Sequence, residues 1–165
     1  MSETKVINNT QENLHVRVET VNGDIHITIS KKVDLSVMNP GEIFEMGGEE
    51  FIVLRNYRDI KNIVVIRKNV LDEGIKFSNI NNDYRSSIIR DFLHTQYYPK
   101  ICEIFGVENI VKTDVDLLSL SGLDNYGYVE DYVTLMGLNE YRSCREYLGN
   151  SLHKPWWLLT PRICF

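Results

Sequence analysis

Two carboxylates one residue apart, Asp114 and Asp116 in "TDVDLL", are the pair whose spacing most directly suggests chemistry. On a strand, residues two apart project from one face. Held together, such carboxylates bind a cation or keep a proton with a raised pKa; well solvated, they do neither. The surrounding "DVDLLSLSGLDNYG" lacks the acidic spacing and closing glutamate of an EF-hand loop. His15 and His26 share one hairpin face, but two histidines without a third ligand make a poor metal site. Cys144 and His153 form a conceivable nucleophile and base, with no third group in view to orient them. His94 reads as a solvent-facing helix residue. There is no GxGxxG, GxxxxGK[ST], HExxH, GxSxG or paired CxxC. The residues therefore point to binding rather than catalysis, with no cofactor and no metal.

Charge gives the binding reading a location. The chain has 165 residues and a net charge of −5. From Glu103 to Glu140 it carries eight acids and one base, Lys112, for a net −7, so the remainder sums to +2. A nonspecific nucleic-acid binder carries the opposite sign. The acidic segment is either a solvated face or a patch that meets a basic partner.

The length suits one main domain with a small appendage. Cys102, Cys144 and Cys164 are odd in number, and the opening "MSETKVINNTQENL" is polar. No apolar run approaches the roughly 20 residues of a membrane span. These features predict a reduced, cytoplasmic protein that makes no membrane contact. Cys102 and Cys144 read as small core residues.

The elements that must position these residues give an α+β fold: an N-terminal β-hairpin plus a mixed domain of antiparallel strands with two or three helices. Residues 1–13 read as a flexible tail, 14–38 as a hairpin appendage, and 39–165 as the main domain. In "LHVRVETVNGDIHITIS", apolar residues alternate on both sides of Asn22-Gly23. A two-residue type I′ turn there pairs Val18 with Ile27 and Val16 with Ile29. A second hairpin around Gly47-Gly48 sets Phe44 against Phe51, and "IVVIRK" follows, giving three or four strands before residue 70. Asn82 or Asp83 caps a helix with Ile88, Ile89, Phe92 and Leu93 on its apolar face. Pro99 breaks or kinks it, and a further turn ends at Gly106. "TDVDLLSL" and "YVTLM" read as strands, with "GLDNYGY" as a loop. "GLNEYRSCREYLG" reads as a helix with Gly137 as N-cap, Glu140 reaching back to the free amides, and Gly149 as its end. "WWLLT" reads as a last core strand that turns one tryptophan inward.

Several pieces resemble a known family in their order and spacing. These are "GEIFEMGGEEFIVL", "NDYRSSIIRDFL", "VDLLSLSGLDNYG", "TLMGLNEYRSCREYL" and "WWLLTP". Over about residues 41–161 they resemble an uncharacterised family of Gram-positive bacteria and their prophages that carries a WWL-x-[ST]-P signature. Its members usually continue past the Pro with further strands resembling C-type-lectin-like modules, whereas this sequence stops four residues after Pro161. Leu159 stands where the family usually has Arg or Ala, and the hairpin 14–33 has no counterpart. The resemblance implies a fold and a phage setting, and no reaction.

With the acidic segment, that setting suggests a non-catalytic protein that blocks a host defence component, as anti-CRISPR-like inhibitors do, through an acidic surface. The partner is then a host protein, one that handles nucleic acid, met in the host bacterial cytoplasm without direct nucleic-acid contact. The candidate contacts are Asp114, Asp116, Asp124, Glu130 and Asp131, with Tyr126, Tyr128 and Tyr132 interleaved; the tyrosines read equally well as core or rim residues. The Arg17/Glu19/His26 hairpin face is a second candidate surface. An unpaired sheet edge could instead recruit a second copy, giving a homo-oligomer. The alternative is a lectin-like module for a carbohydrate or small molecule, which rests on fold analogy alone.

Overall fold

A computed structural model describes residues 14–21, 24–31, 33–71, 74–149 and 156–160. The chain divides into two compact units, Met1–Leu35 and Ser36–Phe165. Residues 1–13, the Asn22-Gly23 turn, His153, Cys164 and Phe165 lie outside the described residues.

The first unit contains strands β1 (Leu14–Val21) and β2 (Asp24–Lys31), paired antiparallel. Val16 pairs with Ile29 and Val18 with Ile27, the register expected from the sequence. Val18 and Ile25 are 60% and 67% exposed.

In the second unit, β3 (Ile43–Met46), β4 (Glu49–Tyr57) and β5 (Asn62–Arg67) form an antiparallel meander. Five strands thus precede residue 70, not three or four, because each hairpin contributes two and β5 a fifth. Phe44 pairs with Phe51 across the tight turn. Gly47 holds that turn at φ +62°, and a Cβ there would meet Ile104 Cγ1 at 2.5 Å. Only glycine satisfies both the dihedral and the contact.

The run Phe51–Leu54 is buried at every position, so the central strand is covered on both faces. On one side, Phe51 stacks on Phe44, with ring centroids 5.5 Å apart, and meets Phe105 edge-on at 5.1 Å. On the other, Ile52 and Leu54 pack with Met136, Cys144 and Leu148. A register irregularity between Val53 and Arg55 lies beside Leu54.

The helical segment assembles in steps. Asp83 Oδ1 accepts from Arg85 N at 3.0 Å and caps a single 3-10 turn, Tyr84–Ser86. Ser87 Oγ then accepts from Arg90 N at 3.1 Å and caps α1 (Ile88–Phe92). The chain continues through a π turn, Leu93–Tyr97, into α2 (Tyr98–Phe105), which ends at Gly106. Pro99 therefore sits in the first turn of α2, where its missing N–H costs least. The widened turn before it absorbs the irregularity.

Strands β6 (Thr113–Asp116) and β7 (Tyr128–Asp131) form a separate antiparallel ribbon. The strand expected at "YVTLM" is not formed; the paired residues are "YVED", four positions earlier. Its inward positions are Val129 and Asp131, and the second is polar, so hydrophobic alternation pointed to the wrong stretch.

Helix α3 (Leu138–Leu148) starts at Gly137 and ends at Gly149. No side chain at its own N-terminus caps it, so the expected return of Glu140 is absent. Thr160 Oγ1 accepts from Leu138 N at 2.8 Å instead. Residues 156–160 are not a strand; they are irregular chain, tied to the body by Leu159 N donating to Met136 O at 3.0 Å. The inward packing holds: Leu159 is buried, and Trp156 and Leu158 cover the α3 cluster. Trp157 is half exposed and donates Nε1–H to Ile75 O at 2.8 Å. Replacing Thr160 by Val should cost about 1 kcal/mol, the usual value of a lost helix cap. An unchanged denaturation midpoint would count against this remote cap. Among the described residues no helix is long and apolar enough to cross a membrane.

Candidate functional site

The β6–β7 ribbon sorts the acidic segment into an outer and an inner face. Register pairs Asp114 with Glu130 and Asp116 with Tyr128. These four side chains are exposed, whereas Val115 is buried. The alternation continues past the strand: Leu117 and Ser119 are buried, and Leu118 and Leu120 are exposed. Lys112, one residue before β6, places Nζ 2.6 Å from Glu130 Oε2. That bond raises the lysine pKa. Asp116 Oδ1 accepts from Leu118 N at 2.9 Å. Asp124 is exposed in the loop that returns the chain to β7.

The inner face holds a different arrangement. Asp131 is 1% exposed and cannot be a surface contact, which corrects its assignment as an acidic contact. Its carboxylate takes a two-armed bond from Arg90, with Nη2–Oδ1 at 2.8 Å and Nε–Oδ2 at 3.1 Å. His94 brings Nε2 to 3.0 Å from Oδ1, at ion-pair distance but out of line for a hydrogen bond. Burial works to raise the Asp131 pKa. The Arg90 hydrogen bonds, with the nearby His94 and Arg90 charges, outweigh it and leave the group below the ordinary carboxylate range. Arg90 also lies over the Tyr84 ring, 5.9 Å from its centroid. Tyr84 is almost wholly buried, and burial pushes its hydroxyl pKa up.

Tyr126 is likewise buried, which removes it from the aromatic contacts and makes it the core residue that was its alternative reading. Its hydroxyl donates to Asn82 Oδ1 at 2.7 Å, and the Arg85 guanidinium lies 5.4 Å from its ring centroid. Tyr126→Phe should therefore lower stability by about 1 kcal/mol, the typical worth of such a bond. A variant with wild-type stability in urea would show the bond to be idle. Tyr128 is 71% exposed. Tyr132 is partly exposed and stacks on Tyr98, with centroids 4.9 Å apart.

The ribbon thus brings together Asp114, Asp116, Glu130 and Tyr128 on one face, leaves Asp124 on the adjoining loop, and takes Asp131 and Tyr126 inside. Sequence reasoning missed Arg90, His94 and Tyr84. The available signal was Arg90 and His94 four apart in a helical segment, two side chains able to share one acid.

Cys144 is sealed in the α3 cluster, and Cys102 is partly buried on α2. Among the described residues no three His, Cys, Asp or Glu side chains are placed to hold a metal ion. His94 stands at ion-pair distance from Asp131 without a hydrogen bond that would orient its ring. The Asp131 cluster ties α1 and the π turn to β7. The chain matches no family model, no curated protein and no solved structure.

Proposed function

We propose that this chain is a non-catalytic binding protein that blocks a nucleic-acid-handling defence complex of a host bacterium, with carboxylates standing where phosphates would lie. One observation carries the reading: Asp114, Asp116 and Glu130 share the exposed face of a paired ribbon, with Lys112 as the only base in the segment Glu103–Glu140. Exposed carboxylates held by strand register form a negative field that steers a basic surface into contact. The pairing of partly exposed Arg90 with buried Asp131 ties the ribbon to the helical segment.

The test is affinity purification from a bacterial host lysate, followed by nucleic-acid binding assays on the captured complex. Capture should fall with rising salt and be lost in Asp114→Asn/Asp116→Asn/Glu130→Gln, while the captured complex regains nucleic-acid binding when the protein is removed. Identical capture by the triple variant would sink the reading.

A further inference from the structure

The carboxylate face continues into an apolar one. Alternation of exposure along residues 114–120 leaves Asp114, Asp116, Leu118 and Leu120 exposed, between the buried Val115, Leu117 and Ser119. Ser119 then folds the following turn back: its N–H donates to Leu123 O, and its Oγ accepts from Leu123 N, both at 3.0 Å. Leu123, also exposed, is thereby tied to Ser119, the residue between Leu118 and Leu120. Leu118, Leu120 and Leu123 are 41%, 54% and 42% exposed, and Tyr128 stands opposite Asp116 at the start of the run. A set of exposed leucines held in a fixed conformation costs apolar hydration without contributing to the core, and such patches mark interaction sites.

We infer that Leu118, Leu120, Leu123 and Tyr128 are the apolar anchors of a docking surface for a Lys/Arg-rich amphipathic segment of a partner protein, rimmed by Asp114, Asp116, Asp124 and Glu130. The inference rests on the binding reading above and names the partner's chemistry. Charge selects the occupant. A second copy would bring an identical acidic rim against this one. Nucleic acid and anionic lipid would bring phosphate against carboxylate. Only a cationic partner gains from the rim, and only one with apolar side chains of its own gains from the leucines. Anchors of this kind carry most of an interface's affinity, while the charged rim governs encounter rate and salt dependence.

The experiment titrates the full chain against two synthetic probes of equal charge, an amphipathic Lys/Leu peptide and an oligolysine, across a salt series. The amphipathic peptide should bind at least about tenfold tighter. Leu118→Ala/Leu120→Ala/Leu123→Ala should abolish that advantage with the salt slope kept. Asp114→Asn/Asp116→Asn/Glu130→Gln should flatten the slope for both probes. Thermal melting checks that the leucine variant folds; if it does not, Leu120→Ser, at the most exposed of the three, makes the same comparison. Equal affinity for the two probes, or an unchanged leucine variant, overturns the anchors and leaves the carboxylate face standing. Binding of neither probe removes both readings. Self-association lost in the leucine variant overturns the inference in favour of a second copy.

Discussion

Arg90→Ala is expected to destabilise the protein by about 3–5 kcal/mol, the cost of leaving a buried charge without its partner. The side chain of Asp131 is wholly buried, and Arg90 supplies both arms of its hydrogen bonding. The pH dependence identifies the cause. In the wild-type protein the Asp131 pKa is lowered in the fold. Its stabilising contribution is therefore present above the unfolded value of about 4 and is lost as pH falls through the lower folded value. Without Arg90, only His94 and Tyr84 are left to favour the charged form against burial, and the carboxyl should rise. The variant's deficit should then be largest near neutrality and shrink as acid protonates Asp131. Arg90→Ala/Asp131→Asn should recover part of the loss, because it removes the stranded charge along with the bond. Urea titrations of the three variants at pH 7 and pH 4 decide the matter. A deficit that does not depend on pH, or no recovery in the double variant, would show that Arg90 acts through packing alone. Lys112, exposed and paired with Glu130 at the surface, serves as the contrasting pair, and its removal should matter little.

What could be read from the letters follows the kind of interaction involved. The two hairpins were legible because alternation and a glycine turn specify register locally, and Val18 against Ile27 and Phe44 against Phe51 both need nothing distant. The helix ends at Gly106 and Gly149 were legible for the same reason. The misplaced seventh strand fails where that logic fails: Asp131 points inward because Arg90, 41 residues earlier in the chain, neutralises it. Tyr126 goes inside because Asn82 accepts its hydroxyl. The cap of α3 comes from Thr160, beyond the helix's far end, so no local capping pattern announces it. The candidate site divides in the same way. Asp114, Asp116 and Glu130 could be placed on one face from strand periodicity, whereas the loss of Asp131 and Tyr126 from the surface depended on partners in another segment.

Trp156→Ala/Leu159→Ala should cost about 5 kcal/mol, enough to consume much of the 5–15 kcal/mol that stabilises a typical domain. Leu159 is buried, and a buried leucine truncated to alanine costs about 2–5 kcal/mol, rising with the cavity left behind. Trp156 is only partly buried, but it covers the cluster of Ile52, Leu54, Met136, Cys144 and Leu148 and meets Tyr141 edge-on at 5.6 Å. The two substitutions act on one short segment, so they will not be strictly additive. The loss spreads beyond their own contacts: Leu159 carries the backbone bond to Met136, and its neighbour Thr160 caps α3. Loosening this segment uncovers one face of the central strand. The expected result is reduced urea cooperativity with dye-accessible apolar surface, while Trp157→Ala, at a half-exposed position, stays cooperative. If the double variant unfolds cooperatively with a loss below about 2 kcal/mol, this segment is a surface strap and not part of the core, and its tryptophans become available as binding residues.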